Sequence, residues 1–203
     1  MSRKRRYTLT RRAENQADTH RRIVEATVDL HAELGPARTS ISAIAERAGV
    51  QRHTVYAHFP TERALFLACS GHALERDPLP DERSWRAIAD QAERLRCGLT
   101  ELYAWYGRNA DIAGNVMRDA EVDPLIRDIV QLRLGSRIDG LQAALAQGMR
   151  PGRELNAALG LAISFHTWRS LVKEGRLSNE AAVDFVLRAI NCALEKPKRP
   201  NRA

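Results

Sequence analysis

Apolar residues along this chain recur mostly at threes and fours, the spacing of one face of an α-helix, and they divide it into about nine helical segments. Ile23, Ala26, Thr27, Leu30 and Leu34 set the inward stripe of a first helix over 18–34, which Gly35-Pro36 ends because proline does not continue a helix. His31 lies beside this stripe and reads as a core or boundary histidine. A short second helix carries Ile41, Ile44, Ala45 and Ala48 on one face, and a third is anchored by Val55 and Phe59. A fourth runs over 62–76 and stops before Asp77-Pro78-Leu79-Pro80, the expected domain boundary. The longest pattern (Trp85, Ile88, Ala92, Leu95, Leu99, Leu102, Tyr106) predicts a single fifth helix. A short sixth follows over 111–119. Asp123-Pro124, an acid cap before a first-turn proline, opens a seventh that ends near Gly148. The eighth spans about 154–174, with Leu161, Phe165, Trp168 and Val172 aligned. Ser178 caps the ninth, in which Ala182, Val186, Ala189, Ile190 and Ala193 align.

The stretch TSISAIAERAGVQRHTVYAHF, residues 39–59, has a more specific form. A hydroxyl at Thr39 or Ser40 can accept a free N–H of the opening turn. Gly49 follows the last apolar position of the second helix and suits the left-handed conformation that ends a helix. Gln51 stands where the cap of the next helix falls, and Arg52, His53 and Thr54 form that helix's polar start. Two short helices joined at a steep angle by a glycine turn make a helix-turn-helix, whose second helix enters the DNA major groove. Arg52 is suited to fork onto guanine, and Thr54 to meet a hydroxyl partner or a thymine methyl.

Charge sharpens this reading. The chain has 203 residues and a formal net charge of +7, long enough for one small domain and one larger one. Residues 1–63 carry a net +5 and residues 196–203 a net +4, whereas the middle is −2. Positive charge at the helix-turn-helix end and on the tail favours a polyanion there. Residues 1–17 are expected to form a basic, flexible arm that neutralises phosphates or enters a minor groove, and residues 196–203 a loose basic tail. Cys69, Cys97 and Cys192 suggest neither a disulfide framework nor a CxxC metal site. Cys69 and His72 have the spacing of a metal pair, but no further ligands lie nearby in sequence, and no metal or other cofactor is expected. The N-terminus lacks the apolar core of a secretory signal, and the most apolar run, residues 157–165, is too short to span a bilayer. A cytoplasmic protein with no membrane partner is expected.

The runs IVEATVDLHAELG, TSISAIAERAGV and TVYAHFPTERALF resemble the N-terminal domain of the tetracycline-repressor (TetR) family. Its pattern of Ile-Ala, Ala-Gly-Val, Tyr, His-Phe and Leu falls at Ile44–Ala45, Ala48–Val50, Tyr56, His58–Phe59 and Leu65. The resemblance covers about a quarter of the chain; beyond it only the helical layout is shared. Glu62 stands where the family often has Lys, Arg63 where it often has Glu, His53 where it often has Gly, and His31 where an aromatic is common. The resemblance implies an all-α protein: a three-helix DNA-binding domain over 18–62 and a helical effector-binding and dimerisation domain over 63–195. It implies that Tyr56 and His58 face the phosphate backbone; for Tyr56 the alternative is packing that closes the small core. With Thr61 capping the fourth helix, whose amides can also receive a phosphate, the expected DNA-binding set is Thr39, Arg52, His53, Thr54, Tyr56, His58 and Thr61. Glu62 would repel a phosphate and is left out.

The same resemblance implies a homodimer on a palindromic operator, with helices eight and nine pairing through positions such as Phe165, Val172, Val186 and Ile190. It also implies a small-molecule effector that shifts the fourth helix and releases DNA. Trp105, Tyr106, Met117, Arg118 and Trp168 lie on helices that would surround its pocket, unless they fill a solid core. Repression is the expected direction, because a dimer on promoter DNA excludes polymerase by occupancy. Motifs for nucleophilic hydrolysis, zinc proteolysis, phosphate cradling and dinucleotide binding are absent from the sequence. An all-helical enzyme is therefore the less favoured alternative, and an effector-independent DNA-binding scaffold or co-regulator the closer one.

Overall fold

The computed structural model describes residues 3–194, with side chains from Arg12 onward. The basic tail expected over 196–203 lies outside the described residues. Among the described residues the architecture is all-α, with eleven α-helices where about nine were expected. They are α1 (Arg3–Glu33), α2 (Ile41–Ala48), α3 (Arg52–His58), α4 (Glu62–Arg76), α5 (Glu82–Arg86), α6 (Gln91–Arg108), α7 (Ala110–Ala120), α8 (Pro124–Leu145), α9 (Arg153–Ala162), α10 (Phe165–Trp168) and α11 (Asn179–Leu194).

Three differences from the sequence expectation have local causes. Helix α1 begins at Arg3 and not near residue 18; the stretch expected as a flexible arm contains no glycine or proline, the two residues that most oppose helix. The predicted fifth helix is two, because Asp90 accepts the Glu93 amide at 2.7 Å and starts α6 afresh, as an N-cap does. The predicted eighth helix is also interrupted. Helix α9 stops at Ala162, α10 restarts at Phe165, and residues Arg169–Glu174 form a wider π-helical turn in which the Gly175 amide reaches back five residues to Ser170.

The chain divides into two compact units. One comprises Met1–Pro78 with Ala110–Arg133, the other Leu79–Asn109 with Leu134–Ala203. The first unit thus takes in α4, α7 and the opening half of α8. Its core is Ile23, Val24, Val28 and Leu30 of α1, Ile44, Ala45 and Ala48 of α2, Val55 and Phe59 from α3, and Leu65 and Cys69 of α4. Arg133 of α8 donates to the Leu67 carbonyl at 2.6 Å and to the Ser70 hydroxyl at 3.2 Å, holding α4 at mid-length.

In the second unit α11 packs on α6 and α9. Its core includes Trp85, Leu99, Leu102, Tyr103, Leu141, Leu145, Leu159, Trp168, Val186 and Ile190, all almost fully buried. Arg94 is buried there as well and donates to the carbonyl oxygens of Ile88 (2.7 Å) and Gln147, so it ties the α5–α6 corner to the end of α8.

Candidate nucleic-acid interface

The helix-turn-helix is built from its caps inward. Ser40, not Thr39, caps α2 by accepting the Ala43 amide at 3.1 Å. Thr39 instead donates its hydroxyl to the Gly35 carbonyl at 2.8 Å. Gly49 takes the left-handed conformation (φ 64°, ψ 40°). Its N–H and that of Val50 then reach the Glu46 and Ala45 carbonyls at 3.0 and 2.9 Å, satisfying groups that a helix end would leave orphaned. Arg22 of α1 donates to the carbonyls of Ala48 and Gly49. Arg47 pairs with both oxygens of Glu33 at 2.8 and 2.9 Å. The turn is therefore fixed to α1 from both sides.

With Val55 fully buried and Phe59 nearly so, the 3.6-residue repeat leaves Arg52, His53 and Tyr56 exposed and Thr54 half-buried. Gln51 occupies the N-cap position of α3 without a side-chain cap bond, a difference from the expectation. Tyr56, at 49% exposure, does not close the core. His58 is half-buried at the end of α3, and Thr61 caps α4 by accepting the Ala64 amide at 3.1 Å. Glu62 and Arg63 follow, both exposed.

Sequence reasoning passed over His20. It lies exposed on α1, with its ring 4.7 Å from that of Phe59 and 6.0 Å from that of His58. Partial burial, and secondarily the charge of His58, holds its pKa below the ordinary histidine value. Its signal in the sequence was slight: it falls three residues before Ile23, the first residue of the core stripe.

Behind this surface, His31 is buried, with Nδ1 3.7 Å from the Cys69 sulfur and the Phe66 ring edge-on at 5.1 Å. Burial drives its pKa down to about 4, opposed weakly by Asp119, and drives the Cys69 thiol up to about 12. Both are neutral at ordinary pH, so they act as packing groups.

Helix α7 holds the end of α1. Asn115 donates to the Ala32 carbonyl at 2.7 Å, and Arg118 donates to Leu34 O at 3.1 Å, Asn115 Oδ1 at 2.9 Å and Asp119 Oδ1 at 2.8 Å. The other Asp119 oxygen accepts the Ala37 amide at 2.9 Å. Gly35 (φ 92°) makes room: a Cβ there would lie 2.6 Å from the Asp119 carboxylate.

The residues expected around an effector fall in both units. Trp105, Tyr106 and Trp168 are buried in the second unit with Phe165; Tyr106 lies 5.6, 5.4 and 5.8 Å from Trp105, Phe165 and Trp168, ring to ring. Met117 and Arg118 belong to the first unit, where Arg118 is engaged as described. The Tyr103 and Tyr106 hydroxyls donate to Ala162 O (3.0 Å) and Ile163 O (2.5 Å), carbonyls at the break between α9 and α10. Burial raises the pKa of both phenols. Elsewhere in this unit a groove of about 540 Å³ lies between α6 and α11, with Leu95 and Leu187 among its lining and Glu93, Arg96, Asp184 and Arg188 charged around it.

Phe165, Val186 and Ile190 are buried within the protomer, and Val172 is half-buried in the π-helical turn. Both faces of α11 carry apolar residues, and periodicity does not say which stripe turns inward. Among the described residues of the second unit, the large exposed apolar side chains are Leu161 on α9 (55%) and Phe185 on α11 (48%).

A glycine-hinged pair of short helices with a polar, exposed start to the second defines the class: a helix-turn-helix protein. Residues 23–69 match the family model described as "Bacterial regulatory proteins, tetR family". It is 36% identical over 77 residues to the HTH-type transcriptional regulator SrpR of Pseudomonas putida; that match spans 35% of this chain but only about a third (36%) of SrpR. It is 29% identical over 192 residues to the uncharacterized HTH-type transcriptional regulator Rv2250c of Mycobacterium tuberculosis, 89% of this chain and 92% of that one. In fold it is similar to the transcriptional regulator FadR of Bacillus subtilis, solved in complex with stearoyl-CoA, with a TM-score of 0.59 and 18% identity over 85% of this chain and 96% of that one.

Proposed function

We propose that this protein is a DNA-binding transcriptional regulator, acting as a cytoplasmic repressor that binds a palindromic operator as a homodimer and leaves it when a small molecule binds. The observation that carries this reading is the exposed start of α3, Arg52-His53-Thr54, on a turn fixed by Gly49 and by Arg22. Base recognition needs side chains that reach a groove from a rigid support. Arg52, His53 and Thr54 read base edges, while Tyr56, His58 and the α4 start at Thr61 position the backbone. Thr39, with its hydroxyl committed to Gly35, contributes through the turn it stabilises.

The effector reading draws support from irregularity. Helix breaks and π-turns often mark functional sites, and here they lie beside the aromatic cluster of Trp105, Tyr106, Phe165 and Trp168. FadR is named as a stearoyl-CoA complex, which suits a greasy ligand in a fold of this kind. Helix α7 follows α6 after the single residue Asn109. A rearrangement of the α6 aromatics is thus carried by the chain to the Asn115–Arg118–Asp119 clamp on α1. Linkage then requires that DNA weaken effector binding by the same factor that effector weakens DNA binding.

Binding measured against a mixed-sequence duplex over a salt series tests the DNA reading. Affinity should fall steeply with salt, as phosphate contacts require, and Tyr56→Ala should weaken binding to all sequences alike. Binding that is absent, or indifferent to salt, contradicts it.

A further inference from the structure

We propose that His20 is a second DNA-phosphate contact, which with His58 grips one backbone phosphate through protonated rings, so that DNA binding takes up protons. This rests on the DNA-binding reading above and adds a residue from outside the helix-turn-helix. The observations are geometric. His20 projects from α1, not α3, yet its exposed ring lies 6.0 Å from that of His58 and is braced at 4.7 Å by Phe59, which is itself buried. Phe59 thus fixes both histidines at the α3–α4 corner, where Thr61 turns the first amides of α4. A phosphodiester offers two free oxygens, and rings this close can each donate to one of them.

The charges around the pair leave it without a carboxylate partner among the contacts described. On α1 the positions one turn either side of His20 are Gln16, Ala17, Ile23 and Val24, all uncharged. Asp18 and Glu25 are each paired with Arg21. On α3, one turn back from His58, are Thr54 and Val55, with His53 exposed nearer the helix start. The start of α4 supplies one charge of each sign, Glu62 and Arg63.

Without DNA, partial burial and the neighbouring His58 keep the His20 pKa below the ordinary value. A phosphate placed between them reverses that balance, because an anion favours the charged form of both. The complex then binds more protons than its free components, and affinity rises as pH falls through the histidine range. Arginine at position 20 would carry the charge at every pH.

The test is fluorescence anisotropy with a mixed-sequence duplex at fixed ionic strength, between about pH 5 and pH 8. The proteins are the wild type, His20→Gln and His20→Arg, each checked for folding by circular dichroism. Wild-type affinity should rise on the order of tenfold as pH falls across the range. His20→Gln should lose a large part of that rise and reduce the salt slope by about one. His20→Arg should bind at the alkaline end about as tightly as wild type at the acid end, with a flattened pH profile; a merely structural role for His20 would not produce that gain. If His20→Gln fails to fold, His20→Arg alone decides. DNA binding by the wild type, with its pH and salt slopes unchanged in the variants, overturns this proposal and leaves the DNA reading intact. A wild type that binds no duplex overturns both.

Discussion

The carboxylate of Asp119 accepts the backbone amide of Ala37 at 2.9 Å, joining positions 82 apart in sequence. The amide belongs to the turn between α1 and α2, and the carboxylate to the last turn of α7. Asp119 is almost fully buried and also holds the Arg118 guanidinium. Removing a buried acceptor leaves its donors unsatisfied, at a cost of about 1–3 kcal/mol. Asp119→Ala is expected to lower stability by that amount in urea unfolding. Asp119→Asn, which keeps an acceptor for Ala37 but not the charge for Arg118, should fall between. A change of only a few tenths in Asp119→Ala would show that the clamp contributes little.

His31 gives the helix-turn-helix unit a defined acid response. Its folded pKa is about 4 against an ordinary value of 6.5, so between those limits the unfolded chain binds more protons than the folded one. Stability therefore rises with pH across that window and falls as pH drops from about 6.5 to about 4. The loss at the acid end is on the order of 2–3 kcal/mol. Other groups titrate over the same range, so the decisive quantity is the difference from His31→Phe, whose ring stays apolar. Urea midpoints for the two proteins should diverge in slope below about pH 6.5. Parallel slopes would contradict a buried, neutral His31.

The dimer reading can be tested at the exposed apolar positions of α9 and α11, Leu161 and Phe185. Phe185→Glu and Leu161→Glu should leave the protomer folded and shift sedimentation towards monomer, since both positions are exposed. Ile190→Glu should unfold the second unit, because it places an unpaired carboxylate at a fully buried position. Dimers that persist in both surface variants would contradict an interface on these faces of α9 and α11.

Much of the helix-turn-helix was legible because its determinants are local. Gly49, Thr61, Val55 and Phe59 act within a few residues of where they stand, through a left-handed turn, a cap and a short apolar face. The features missed depend on contacts between distant segments. Nothing near Asn115, Arg118 or Asp119 in sequence points to the end of α1, and nothing near His20 points to His58. Arg94, which no local pattern singles out, is buried between the Ile88 and Gln147 carbonyls. The long apolar pattern from Trp85 to Tyr106 continued through the corner that Asp90 makes, because apolar spacing records which face is buried and not whether the backbone turns.

The central claim, that α3 reads base sequence from a fixed turn, is tested most directly by selecting duplexes from a random pool with the wild type and with Arg52→Ala. Wild type should enrich an inverted repeat with a defined half-site. Arg52→Ala should bind that repeat more weakly by about 1–3 kcal/mol and lose preference at one position of each half-site, if its guanidinium forks onto a guanine. Enrichment of no repeat by the wild type, or an unchanged preference in the variant, would contradict the account.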